Sequence, residues 1–82
     1  MYKLRISFKA KNEIKKISKT HKCAIVLALK DIKENPFSGK PLTRNLAGKY
    51  SYRVGIYRII YIIRQRDKIV EILTAGHRSN VY

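Results

Sequence analysis

Apolar and polar residues alternate from Tyr2 to Phe8, with Tyr2, Leu4, Ile6 and Phe8 on one side and Lys3, Arg5 and Ser7 on the other. A period of two marks a half-buried strand, here one near a sheet edge. The period then lengthens. From Ala10 to about Lys19 the apolar positions are Ala10, Ile14 and Ile17, separated by lysines, which predicts an amphipathic helix. Thr20-His21-Lys22 reads as a short break. A second helix runs to about Glu34 with Ile25, Ala28, Leu29 and Ile32 on its inner face, so the two helices form an αα hairpin. Asn35-Pro36 ends it, because proline cannot continue a helix and restricts the residue before it.

Residues 36–48 read as a loop punctuated by Pro36, Gly39, Pro41 and Gly48, with Phe37, Leu42 and Leu46 pinning it to the core. Strand patterning returns at Tyr50–Val54. A turn at Gly55-Ile56 leads into Tyr57–Arg64, a polar turn spans Gln65–Lys68, and Ile69–Ala75 is the last strand. Tyr57–Ile63 is apolar on both faces, which suits a central strand. The order β-α-α-β-β-β predicts an α+β layer sandwich with the helices on one face of the sheet. The other face stays more open and is the place for a concave cationic site. No linker or internal repeat divides residues 1–82, so a single domain is expected.

Composition narrows the class. Hydrophobic residues make up 45% of the 82, enough for one core and too many for an intrinsically disordered chain. The longest apolar runs, Cys23–Leu29 and Ile59–Ile63, are far shorter than a membrane span. The N-terminus lacks the apolar stretch of a secretory signal, so a cytoplasmic protein with no membrane partner is expected. Cys23 is the one cysteine, which excludes an internal disulfide and a cysteine-rich zinc site. Within Cys23–Leu29 it reads as a small buried hydrophobe.

Charge changes the picture most. Nineteen Lys and Arg against five Asp and Glu give a formal +14, a field that favours polyanions. The two halves use different cations: ten lysines and one arginine (Arg5) before residue 42, then six arginines and two lysines. Lysine is a hydrated point charge, whereas arginine presents a planar fork that grips phosphate through paired hydrogen bonds. The first half therefore reads as an electrostatic attractor and the second as the place where a phosphate is held in one geometry.

Several chemistries are excluded by pattern. No Gly-rich phosphate loop precedes a helix, and the five acids (Glu13, Asp31, Glu34, Asp67, Glu71) are scattered without metal spacing or pairing. A catalytic site built from this chain is metal-free and cationic, and needs no cofactor. RNA cleavage suits such a site: the ribose 2′-OH attacks the adjacent phosphorus, and fixed cations stabilise the phosphorane. Arg53, Arg58, Arg78, His77 and Tyr82 bracket the two C-terminal apolar runs. Tyrosines interleave with the arginines, and an aromatic ring is a common platform for a splayed base.

The residues Tyr50, Tyr52-Arg53-Val54-Gly55, Tyr57-Arg58 and Ile60-Tyr61, followed by Gly76-His77-Arg78 and Val81-Tyr82, resemble the RelE/ParE superfamily of toxin–antitoxin toxins. The strand–two-helix start and the Asn35-Pro36 loop extend the resemblance over the whole chain. It implies a four-stranded, mainly antiparallel sheet packed on two N-terminal helices. RelE-like members cut messenger RNA in the ribosomal A site, and ParE-like members poison DNA gyrase. An acidic antitoxin that occludes the basic surface is implied, as are the ribosome and its RNA as partners. Operator DNA is implied only through the antitoxin complex.

Carried over by position, Arg58 and Arg78 match the family's phosphate and transition-state contacts. Tyr82 matches the terminal tyrosine that orients or stacks the nucleotide. Ser51 and Arg53 stand where the best-studied RelE toxins have two lysines, and an arginine is a poor proton acceptor near neutral pH. His77, next to Arg78, is then the best candidate for proton transfer, and relatives with a histidine nearby point the same way. Lys49 is a weaker acid–base candidate. Lys49, Tyr50, Ser51 and Arg44 complete the expected RNA contacts, and His21 is expected to be structural or solvent-exposed. A gyrase poison of the ParE type and an inactive homologue that acts only with its antitoxin are the competing readings.

Overall fold

Residues 2–42 and 48–77 are described by the computed structural model. The chain order is β1 (Lys3–Ile6), α1 (Phe8–Lys15), α2 (Lys19–Glu34), a 3-10 turn (Pro36–Ser38), β2 (Lys40–Pro41), β3 (Lys49–Val54), β4 (Tyr57–Arg64) and β5 (Ile69–His77). The strands form one sheet in the order β1-β5-β4-β3-β2. β1 runs parallel to β5, and the other neighbours are antiparallel. The expected α+β class, the edge position of β1 and the central position of β4 are all present.

The sheet has five strands rather than four. The extra one is β2, which pairs Lys40 with Ser51 and Pro41 with Tyr50 inside the stretch read as loop. Two residues are too few to show a period, and an edge is where a strand tolerates proline.

The helices start at capping serines. Ser7 ends the alternation of β1: its backbone is extended (φ −64°, ψ 158°), and its Oγ accepts from Ala10 N–H at 3.0 Å. Phe8, expected on the strand's apolar side, therefore opens α1 and is 74% exposed. The break between helices falls at residues 16–18 rather than at Thr20-His21-Lys22, which form the first turn of α2. Ser18 holds the N-cap position of that helix, and its hydroxyl meets His21 Nδ1 at 2.9 Å rather than a backbone N–H.

The helix-facing layer is the core. Ile25, Ala28, Leu29 and Ile32 of α2 are buried with Ala10, Ile17, Ile59, Tyr61, Val70, Ile72 and Ala75. Each fully buried isoleucine contributes about 1.5–3 kcal/mol relative to exposure. Tyr50, Tyr52, Val54, Tyr57 and Ile63 pack against this core from the same sheet face. Cys23, read as buried, is exposed on the outer side of α2 with Val26 and Leu27. The apolar run there is longer than the stripe the helix can bury. No helix among the described residues is long and apolar enough to cross a membrane.

Tyr61 ties the loop to the sheet. Its hydroxyl donates to Pro36 C=O at 2.6 Å, and a Cβ at Gly39 would collide with it. Burial pushes the phenol up from its ordinary value of 10 to about 12. Of the apolar residues expected to pin this loop, Leu42 is half-buried and Phe37 is 47% exposed. Phe37 meets Tyr50 edge-on at 6.1 Å. Leu46 lies outside the described residues.

Candidate anion-binding face

The hairpin of β3 and β4 builds the site. Val54 pairs with Tyr57, so Gly55 and Ile56 alone make the turn. Gly55 has φ +59°, a left-handed geometry that two-residue hairpin turns demand and glycine supplies without strain. Successive residues of a strand face opposite ways. Since Tyr50, Tyr52 and Val54 pack on the core, Lys49, Ser51 and Arg53 occupy the face away from the helices. On β4 the same rule turns Tyr57, Ile59 and Tyr61 inward and leaves Arg58, Ile60 and Ile62 on that outer face.

Register brings the cations together. Arg53 and Arg58 are direct cross-strand partners, and Arg58 is flanked on its other side by Gly76 of β5. Like charges directly opposite each other oppose folding, by roughly 0.2–1 kcal/mol on the scale of cross-strand pairs. Two guanidinium groups held this way gain from an anion placed between them. Arg53 is exposed, whereas Arg58 is half-buried and its Nε is shielded from solvent. The neighbouring pair, Ser51 and Ile60, forms a buried floor, 8% and 4% exposed. Gly76 adds no side chain beside Arg58. Arg64, at the far end of β4, has a different fate: its Nε donates to Glu71 Oε1 at 2.7 Å, and that hydrogen bond raises the guanidinium's affinity for its proton.

His77 does not join this face. It pairs with Tyr57, not with Arg58, and meets the Tyr57 ring edge-on at 6.2 Å. His21 meets the same ring at 5.3 Å, so two imidazoles contact one tyrosine. With Glu13, Lys16 and Ile17 of the helical hairpin, Tyr57 and His77 line a cleft of about 310 Å³ on the helix side. This pairing places His77, expected as the proton-transfer group, on the Tyr57 side of β5. In a strand, the residue after one opposite Arg58 turns to the other face.

Two further expectations shift. Tyr50 lies on the core side, stacked on Tyr61 at 5.7 Å and 17°, so its ring is not offered to a base on the outer face. Ser51 is on the outer face but buried, as part of the floor. Lys49 is on that face and half-buried. His21 is exposed, the second of the two alternatives expected for it. Arg44, Arg78 and Tyr82 lie outside the described residues. Among the described residues, no group of three His, Cys, Asp or Glu could hold a metal ion.

One contact was not read from the sequence. Glu13 Oε1 accepts from the Thr74 hydroxyl at 2.5 Å and from the Ala75 amide at 3.1 Å. The signal was available: Glu13 falls in the stripe Ala10, Ile14, Ile17, an acid on the apolar side of its helix. Tyr52 adds a smaller polar tie, with its hydroxyl donating to Asp31 Oδ2 at 3.3 Å. Burial first, then the Asp31 charge and hydrogen bond, raise the Tyr52 phenol above its ordinary value.

The family model described as "ParE toxin of type II toxin-antitoxin system, parDE" matches residues 4–82. Toxin RelG of Mycobacterium tuberculosis is 36% identical over 83 residues, covering 99% of this chain and 95% of that protein. Among solved structures, a chain of the RelBE2 toxin–antitoxin complex of Mycobacterium tuberculosis superposes with a TM-score of 0.86 at 37% identity, over 94% of this chain and 98% of that one. The isolated RelE toxin of E. coli has the same fold, with a TM-score of 0.80 at 24% identity, covering 100% of this chain and 92% of that chain.

Proposed function

Since the chain belongs to the RelE/ParE family of toxins of type II toxin–antitoxin systems and is a homologue of RelG, we propose that it is a RelE-type, ribosome-dependent endoribonuclease that cuts messenger RNA in the A site. The observation that supports this reading best is the Arg53–Arg58 pair, held opposite each other over a buried floor on the sheet face that the helices leave open.

In this mechanism the ribose 2′-OH attacks the adjacent phosphorus and loses its proton. The P–O5′ bond breaks, leaving a 2′,3′-cyclic phosphate, and the 5′-oxygen takes up a proton. Arg58 and Arg53 stabilise the charge that builds on the phosphorane oxygens. Aimed cations of this kind commonly supply the largest catalytic contribution. By the family resemblance, Arg78 and Tyr82 serve as further phosphate and nucleotide contacts. His77 faces away from the Arg53–Arg58 pair, so it has no part in proton transfer there. The formal charge of +14 docks the protein on ribosomal RNA, with the steep salt dependence of counterion release. A cognate acidic antitoxin neutralises the same face.

Mapping messenger 5′ ends on ribosomes after induction tests the proposal. New ends at A-site codons that vanish with Arg58→Ala are expected. Intact messages together with altered DNA supercoiling would instead favour a gyrase poison, a reading supported by the ParE description of the matching family model. Absence of any toxicity favours an inactive, antitoxin-bound homologue.

A further inference from the structure

The bulge in β5 is where α1 takes hold of the sheet. Thr74 stands opposite Ile60 and Ile72 opposite Tyr61, so Leu73 is the extra residue. A bulge disrupts the ladder and leaves main-chain groups to be satisfied elsewhere. α1 and its cap bond main-chain groups on both sides of Leu73. Ser7 N–H donates to Ile72 C=O at 2.9 Å, and Ser7 Oγ donates to Leu73 C=O at 2.8 Å. Further along the helix, Glu13 Oε1 takes the Thr74 hydroxyl and the Ala75 amide together. Ala75 immediately precedes Gly76, the cross-strand partner of Arg58.

A carboxylate weakens the anion field of a chain that carries +14. The two donors that converge on one of its oxygens give Glu13 a different use. We infer that Glu13 is a positioning residue for the cleavage proposed above: through Thr74 and Ala75 it fixes the path of β5 at Gly76, and so the space in which the Arg58 guanidinium lies. The effect on cleavage rests on the nuclease reading, whereas the hold on β5 rests on the hydrogen bonds alone. Glu13 touches no reacting atom on this account. A misplacement of about 1 Å at a group that stabilises charge costs up to roughly a hundredfold in rate.

The test compares Glu13→Ala, Glu13→Gln and Ile25→Ala, the last a core truncation in α2 that lowers stability but removes no hydrogen bond to Thr74 or Ala75. The glutamine oxygen can still accept both donors. Hydrogen exchange of the Ala75 amide is read first. It is expected to quicken by about tenfold or more in Glu13→Ala, beyond any change in Ile25→Ala, and to return towards wild type in Glu13→Gln. Single-turnover cleavage on ribosomes is read second, at a temperature where all variants are folded. Glu13→Ala is expected to lose roughly tenfold to a hundredfold in maximal rate with the half-saturating ribosome concentration unchanged, and Glu13→Gln to restore most of it. Unchanged Ala75 exchange overturns the hold on β5. Faster exchange with cleavage no lower than in Ile25→Ala overturns the positioning role. If wild type itself does not cut, the nuclease reading falls and the cleavage role of Glu13 falls with it, while the exchange result still decides the hold on β5.

Discussion

The two faces of the β3–β4 hairpin are made from the same few residue types and do opposite things. On the inner face Tyr50, Tyr52, Tyr57 and Tyr61 pack with isoleucines under the helices, and two of the phenols are tied to protein acceptors. On the outer face Arg53 and Arg58 stand opposite each other beside a small buried floor, with Lys49 further along the same face. The inner arrangement stabilises the fold, and the outer one sets two like charges opposite each other. Such opposition is what a preorganised anion site requires, because the cations are held in place before the ligand arrives. Composition cannot separate the two roles; only the strand's alternation can.

Removing the outer cation should have the largest effect. Arg58→Ala is expected to lower single-turnover cleavage of ribosome-bound message by about 100–1,000-fold. Relief of the opposed charges offsets about 0.2–1 kcal/mol of what the truncation costs in stability, and thermal unfolding is measured alongside. A variant that loses activity only because it unfolds would erase the contrast between the faces.

The inner face should respond in the reverse sense. Tyr61→Phe removes the hydrogen bond to Pro36 C=O and is expected to lower stability by about 1 kcal/mol, with cleavage per folded molecule retained. It also predicts a pH signature. The folded-state value of about 12 lies above the ordinary 10, so the neutral phenol contributes in full below pH 10. That contribution is lost as pH rises from 10 through 12. Urea unfolding of wild type should therefore weaken across that window more steeply than unfolding of Tyr61→Phe. Parallel curves would contradict the buried, protonated phenol.

The smallest effect is expected at His77. As a group of the helix side, His77→Ala should leave cleavage well short of the roughly 100-fold loss that follows removal of an acid–base catalyst. A loss of that size, with a matching change in the pH–rate profile, would return the imidazole to the reaction.

Much of this was legible in the sequence. The stripe Ile25, Ala28, Leu29, Ile32 gave α2 its buried face, and the doubly apolar Tyr57–Ile63 gave the central strand. The Arg53–Arg58 pairing follows from a two-residue turn at Gly55-Ile56, which sets register directly. What escaped had weak or competing signals. β2 is two residues long. Phe8 continued an alternation that the Ser7 cap had already ended. The bulge at Leu73 is invisible to periodicity, and with it went the part played by Glu13. The pairing of His77 with Tyr57 emerges only across the sheet, whereas its neighbour Arg78 is read along the chain.

The central claim is that one anion binds between Arg53 and Arg58 on the outer face, apart from His77. Guanidinium and imidazole resonances followed by NMR, during titration with a short 2′-O-methyl RNA that cannot be cut, test it most directly. The Nε–H signals of Arg53 and Arg58 should move together along one saturation curve while the His77 ring stays still. Movement of His77 with both arginines unchanged would contradict the account.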